Sequence, residues 1–274
     1  MSKTMEKGLL LLDLFTEERP FWRLDEISTH TGIPKATALR LLRTLVETGF
    51  LQRTSLERNG AIIEGDSYSL GLKLLQLGER VASGLEIRSI ALPFMKQLQV
   101  QFNEAVQLIT REHNEGVYIE KVESTRPVRL YTRVGRYAPL YAGACTRTLL
   151  AFLPDHEIHE ILSKPLTRYA SQTPQSTEAV WSMITQIRNE GYAYSVSELE
   201  EGTVSIAVPI FNRHGDVQYS MSIAGFSVSL PKDNAHLFLH ALWEAAARIS
   251  EKIGYNQQYP YSNKLQKEHT EAKA

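Results

Sequence analysis

The stretch LDEISTHTGIPKATALRLLRTL, residues 24–45, decides the fold of the first part of the chain. Leu24, Ile27 and Ser28 set a short helix with one apolar side. Gly32 stands where the chain must turn sharply, and glycine alone takes a positive φ without steric cost. Pro34 suits the first turn of a second helix, where its missing N–H bonds nothing. That helix is predicted from Pro34 to Thr48, with Gly49 closing it. Two short helices about a glycine turn make the helix-turn-helix layout, whose second helix can lie in a DNA major groove.

On the second helix Ala38, Leu41, Leu42 and Leu45 fall at i, i+3, i+4 and i+7, one buried stripe. The opposite side carries Ala36, Arg40, Arg43 and Thr44, with Thr37 flanking and Lys35 at the first turn. Arginine forks onto a guanine edge or a phosphate, and threonine meets a base, a thymine methyl or a phosphate. The same pattern also describes an ordinary helical hairpin with a solvated basic face. Gly49–Arg53 reads as a strand start and Tyr68–Leu70 as its return, around a polar loop holding Arg58, Asn59 and Gly60. Helix, helix, hairpin is the winged variant, in which Arg53 and Arg58 are candidate backbone contacts. The wing loop spans Leu56 to Asp66.

The chain has 274 residues, enough for two domains, and 43% of them are hydrophobic, as in a soluble globular protein. No apolar run is long enough to span a membrane, and the amino terminus has no secretory pattern, so a cytoplasmic protein is expected. Cys145 is the single cysteine, which excludes an intrachain disulfide and argues against a thiolate metal site. The eight histidines are scattered, and no metal or cofactor is expected. Formal net charge is −1, and residues 1–75 hold ten basic and ten acidic residues. Non-specific attraction to nucleic acid is therefore weak, and any DNA binding rests on the local face of one helix.

Met5–Phe15 is predicted as a first helix packing under the helix-turn-helix. A linker helix is expected over 71–84, then a helix over 86–102 with Pro93 within it. Short β-rich runs follow at Ala105–Arg111, Gly116–Val122 and Val128–Arg133. Helices are expected at Thr146–Phe152, Asp155–Ser163 and Thr177–Glu190, strands at Tyr192–Ser197, Thr203–Phe211 and Val217–Phe226, and a last helix from Pro231 to Ile253. The fold class is α+β. A winged helix-turn-helix domain over 1–70 is joined by the linker to an α/β domain over 85–254 with a largely antiparallel sheet, and a mobile polar tail follows over 255–274.

Two late strands separate their side chains sharply. Val204, Ile206 and Val208 alternate with Thr203, Ser205 and Ala207; Val217, Tyr219, Met221 and Ile223 alternate with Gln218, Ser220, Ser222 and Ala224. One face is bulky and apolar; the other is small and rich in hydroxyls. The small face suits a pocket, a plain solvated surface, or close packing on a helix. The loop 135–147 runs into a helix start near Ala144, whose N–H groups suit an anion. A small organic acid between that start and the hydroxyl face is one coherent reading. Arg147 there serves an anion or a surface ion pair. Cys145 as a nucleophile at the same helix start defines an enzyme alternative, but no histidine base lies near it in sequence. A third reading gives the second domain dimerisation alone.

These motifs together resemble the IclR family of bacterial transcriptional regulators. The resemblance rests on the winged helix-turn-helix, residues 68–78 (YSLGLKLLQLG), Pro139-Leu140 before a small-residue helix start, residues 149–152 (LLAF), Gly191-Tyr192, Glu198, and residues 202–210 (GTVSIAVPI). It implies a GAF-like effector domain and a sequence-specific DNA-binding regulator. It further implies a homodimer or homotetramer on a palindromic double-stranded operator, tuned by a small organic acid or aromatic catabolite. It implies no enzyme. Family pocket positions fall here at Leu140, Gly143, Ala144, Cys145, Ser195, Ser205, Ser222 and Ala224. Thr146-Arg147 stands where many members have Gly-Lys, so effector identity does not transfer.

Overall fold

The computed structural model describes residues 3–58, 61–84, 86–130, 132–230 and 235–261. The chain divides into two compact units, Met1–Leu85 and Glu86–Ala274.

In the first unit, α1 (Lys3–Leu10) is followed by β1 (Trp22–Arg23), α2 (Leu24–Thr31), α3 (Lys35–Glu47), β2 (Leu51–Arg58), β3 (Ala61–Leu70) and α4 (Leu72–Gly84). Gly32 caps α2 at φ 69°, and its N–H donates to Ser28 O at 3.0 Å. Ser28 Oγ reaches across the same turn to Ile33 O at 2.8 Å, so the turn is tied from both sides. The Glu26 carboxylate accepts the Arg23 N–H at 2.9 Å, satisfying a free donor at the start of α2. Ala38, Leu41 and Leu42 are buried on the inner stripe of α3 beside Ile27, Ile33 and Leu51, with Leu45 partly buried against them.

Two expectations change here. The first helix stops at Leu10 rather than Phe15: Leu12 N–H and Phe15 N–H bond three residues back, to Leu9 O and Leu12 O, tightening the chain into turns. Of the large apolar side chains in that segment only Leu11 and Phe15 are buried, while Met5, Leu9 and Leu10 are more than half exposed. The sheet also has a third strand, since Trp22↔Tyr68 and Arg23↔Ser67 give the order β1-β3-β2. The long wing is built by β2 and β3 pairing out to Arg58↔Ala61; Asn59 and Gly60 lie outside the described residues.

The second unit runs α5 (Glu86–Phe102), β4 (Ala105–Glu112), β5 (Glu115–Val122), β6 (Tyr137–Pro139), α6 (Ala144–Ala151), α7 (Asp155–Leu162), α8 (Thr177–Glu190), β7 (Ala193–Val196), β8 (Thr203–Phe211), β9 (Val217–Phe226) and α9 (Ala235–Lys252). The six strands form one antiparallel sheet in the order β6-β5-β4-β9-β8-β7. Helices α5 and α9 lie on one face, and α6, backed by α8, on the other. Register places Ile206 opposite Ile223 and Val208 opposite Met221 on the bulky face. Ser205 opposite Ala224 and Ala207 opposite Ser222 form the small face. The small side chains let α6 approach closely: Ala207, Ala144, Cys145 and Leu149 share one buried cluster.

Residues 128–130 and 132–133 form no strand, against expectation, and Tyr131 lies outside the described residues. The sheet edge goes instead to β6, with Glu115 opposite Pro139. Thr132 is instead buried, and its hydroxyl accepts from Gln107 Nε2 of β4 at 2.9 Å. The expected free tail is also corrected for residues 255–261. Tyr255, Tyr259 and Tyr261 are buried, Tyr259 Oη donates to Pro209 O at 2.8 Å, and Tyr261 Oη donates to Arg188 O at 3.0 Å. Aromatic rings supplied the anchors that the polar composition concealed. Pro231 and residues 262–274 lie outside the described residues.

Candidate functional site

Helix α3 presents Lys35, Ala36, Arg40, Arg43 and Thr44 to solvent, with Thr37 half-buried beside them. The face exists because the apolar stripe occupies the other side of the same helix. Lys35 Nζ pairs with Asp25 of the preceding helix α2, and that ammonium holds the Asp25 carboxyl below its usual range. Among the described residues no side chain pairs with the Arg40 or Arg43 guanidinium. The exposed Thr44 hydroxyl donates to Arg40 O at 3.2 Å in the free protein. Arg53 projects from β2 with its guanidinium 5.8 Å from the Tyr68 ring centroid, exposed beside the helix-turn-helix sheet. Arg58 ends β2, and its side chain lies outside the described residues.

In the second unit a cavity of about 40 Å³ lies between the sheet, the start of α6 and the loop joining β7 to β8. Six of the eight predicted pocket residues line it: Gly143, Ala144, Cys145, Ser195, Ser205 and Ala224. Gly143 takes φ 87°, a left-handed backbone that favours glycine; a Cβ there would lie 2.8 Å from Leu199 Cδ1, and that methyl would have to shift. The Ala144 N–H donates to Ser195 Oγ at 3.2 Å, and the Ser195 and Ser205 hydroxyls are 2.8 Å apart. The first N–H groups of α6 are thus already turned to protein acceptors, with Gly143 N–H on Glu198 Oε2 at 2.8 Å.

Leu140 does not reach the cavity; it is fully buried in the helical core beside α6. Ser222 acts one step behind, donating to Gln107 Oε1 at 3.4 Å. Gln107 does line the cavity, and its Nε2 donates to Thr132 Oγ1 at 2.9 Å. The sequence held a signal for it: Gln107 is the polar residue between Val106 and Leu108 in an apolar strand, opposite Ser222 on the small face. Tyr118, Arg136 and Glu200 also line the cavity. The last two belong to loops and strand edges, where alternation gives no warning. Burial pushes the Tyr118 hydroxyl well up, so it stays protonated.

Arg147 corrects both readings given for it. It neither faces the cavity nor sits at the surface. Its side chain is 2% exposed and is paired through both terminal nitrogens to Glu198. Cys145 is no nucleophile: burial pushes its thiol up to about 11, and Sγ donates to Ser220 O at 3.4 Å.

Two family models cover most of the chain: the IclR helix-turn-helix domain over residues 4–55, and the bacterial transcriptional regulator IclR C-terminal domain over 79–251. The chain belongs to the IclR family. It is 42% identical over 255 residues to the HTH-type transcriptional regulator KipR of Bacillus subtilis, covering 93% of this chain and 98% of that one. The solved IclR of Thermotoga maritima superposes with a TM-score of 0.72 at 28% identity, covering 93% of this chain and all of that one. An IclR homolog from Microbacterium hydrocarbonoxydans, complexed with 4-hydroxybenzoate, gives 0.78 at 27% identity, covering 92% and 99%. As an IclR-family protein the chain is a transcriptional regulator and not an enzyme. Its N-terminal unit carries the DNA-binding helix-turn-helix, and its C-terminal unit carries the ligand-binding domain. No described helix is long and apolar enough to cross a membrane.

Proposed function

We propose that this IclR-family regulator reads a palindromic operator as a homodimer or a dimer of dimers, in the cytoplasm where the DNA is. Ala36, Thr37, Arg40 and Arg43 of each α3 enter the major groove. Lys35, Thr44, Arg53 and Arg58 hold the backbone. The exposed guanidiniums of Arg40 and Arg43 support this reading, and a two-fold protein matches a two-fold site. The domain plan follows: residues 1–70 bind DNA, 71–84 link, and 85–254 sense and assemble.

The effector is a compact polar carboxylic acid held in the cavity of the second unit. The observation that carries this is the cavity's size and lining together: about 40 Å³, with Gln107, Thr132, Ser195 and Ser205 set among apolar wall residues such as Leu130, Leu199 and Val204. A cavity that takes a benzene ring has about 150 Å³, and one water needs about 10–15 Å³. This space suits a few heavy atoms with hydrogen-bonding ends. The homolog from Microbacterium hydrocarbonoxydans is complexed with 4-hydroxybenzoate; the cavity here is smaller than one that takes a benzene ring.

The experiment is a thermal-shift screen of the full-length protein against C2–C5 hydroxy and oxo acids and against benzoates. Each stabilising acid is then added to a DNA-binding titration. A compact acid that raises Tm and changes operator affinity is the expected result. Stabilisation by benzoates alone, or by none of the acids, overturns it.

A further inference from the structure

The geometry points to Glu200 as a built-in stand-in for the effector's carboxylate: the acid binds by taking Glu200's place on Arg136. This rests on the sensor reading of the cavity.

Arg136 and Glu200 are the charged residues among the described lining, paired Nη1 to Oε1 at 2.6 Å. Their side chains are 33% and 40% exposed, so the pair sits at the mouth. Everything deeper is neutral: the Gln107 amide, the Thr132, Ser195 and Ser205 hydroxyls, and the protonated Tyr118. The other nearby guanidinium, Arg147, is behind the wall and held by Glu198. An anion that enters with the pair intact meets a carboxylate and finds no uncommitted cation. Two carboxylates side by side at the mouth repel one another, although solvent screens them in part. Exchange removes the conflict, because Arg136 keeps one carboxylate partner throughout and Glu200 turns to solvent.

The two partners are mounted for this. The Arg136 main chain is fixed to β5, since its carbonyl accepts the Tyr118 N–H at 3.0 Å and Gly135 N–H donates to Tyr118 O at 2.7 Å. Glu200 lies on the loop between β7 and β8, where Thr203 Oγ1 holds its carbonyl at 2.7 Å while the side chain stays partly exposed. An ammonium ligand taking Glu200 instead is disfavoured by the start of α6, whose positive end forms the cavity wall at Gly143 and Ala144. The neighbours of Glu200 are Leu199, packed on Gly143, and Glu198, bound to Gly143 N–H. Displacing Glu200 therefore acts on the one loop that also shapes the cavity wall.

The test is calorimetric titration of the full-length protein with acetate and with its neutral isostere acetamide, for the wild type, Glu200→Gln and Arg136→Gln. Removing the internal competitor is expected to tighten acetate binding at least tenfold in Glu200→Gln, with acetamide unmoved. In Arg136→Gln, acetate is expected to fall to the level of acetamide. Equal acetate affinity in wild type and Glu200→Gln, including no binding by either, overturns the exchange. Glu200→Gln decides the matter alone if Arg136→Gln does not fold. Should larger acids stabilise wild type and both variants equally, the sensor reading stands and the exchange falls. Should no acid bind any of the three, both fall.

Discussion

Arg147 and Glu198 meet in a two-point ion pair beneath the cavity wall, Nη2 to Oε1 at 2.9 Å and Nη1 to Oε2. Glu198 Oε2 also accepts the Gly143 N–H, and Arg147 Nη2 also donates to Tyr194 O at 3.0 Å. The pair thereby fastens the start of α6, the end of β7 and the loop that follows β7. Each charge is tolerable in the interior only because the other is present.

Removing one partner strands the other. Arg147→Met is expected to cost about 3–5 kcal/mol of unfolding free energy. Arg147→Lys should cost less, since it keeps the charge and loses the fork. Urea unfolding of the three proteins measures this. A loss below about 1 kcal/mol for Arg147→Met would show that the pair does not hold the loop.

On the DNA side, Arg43→Ala and Arg40→Ala are each expected to weaken binding to an operator selected from random DNA. The loss should be about 1–3 kcal/mol if the guanidinium reads a base, with relaxed preference at that base. A phosphate contact would instead weaken all sequences alike and lower the salt slope by about one. Effector affinity should not change. Undiminished operator binding in the double variant would remove α3 as the reading helix.

The Cys145 thiol, held up at about 11 from an ordinary 9, gives a pH test with a definite sign. The native state keeps the proton that the unfolded chain gives up. Its contribution is therefore complete below pH 9 and is lost as pH rises from about 9 to about 11. Relative to Cys145→Ser, the wild type should lose stability across that window, on the order of 2 kcal/mol. Parallel pH–stability curves for the two proteins would contradict the burial of the thiol.

The closing segment makes a fourth test. Tyr259→Phe leaves Pro209 O without its donor and should cost about 1–3 kcal/mol. Tyr259→Ala also opens a cavity against Phe211, whose ring lies 5.5 Å away, and should cost about 3–5 kcal/mol. Thermal unfolding distinguishes these from a free tail, for which both substitutions would be silent.

The helix-turn-helix was legible because its determinants are local: Gly32, Pro34 and a stripe of four apolar residues on one helix. The two faces of β8 and β9 were legible because strand alternation survives burial, and they led to Ser205 and Ala224. What was hidden depended on partners distant in sequence. Arg136 and Glu200 are 64 residues apart and Arg147 and Glu198 are 51 apart, and no periodicity joins them. The stretch 128–133 has strand composition, but its Thr132 is bound to Gln107 across the cavity. The aromatic residues 255, 259 and 261 sit in a polar run, where composition outvoted the rings. Lys35 looked free on its own helix because Asp25 belongs to the one before.

The pairing of β4 with β9 sets an order of events during synthesis. Gln107 finds Ser222 only after more than a hundred further residues, and Tyr261 reaches back to Arg188 later still. The contacts of the first unit are complete within the opening 85 residues. At ribosomal speeds of about 5–20 residues per second, the reading helices exist for roughly 7–28 s before the sensing sheet can close. For that interval the nascent chain has a finished DNA reader and no instrument to govern it. Attachment to the ribosome, and any dependence of tight operator binding on a second copy, then become what keeps the half-made regulator silent.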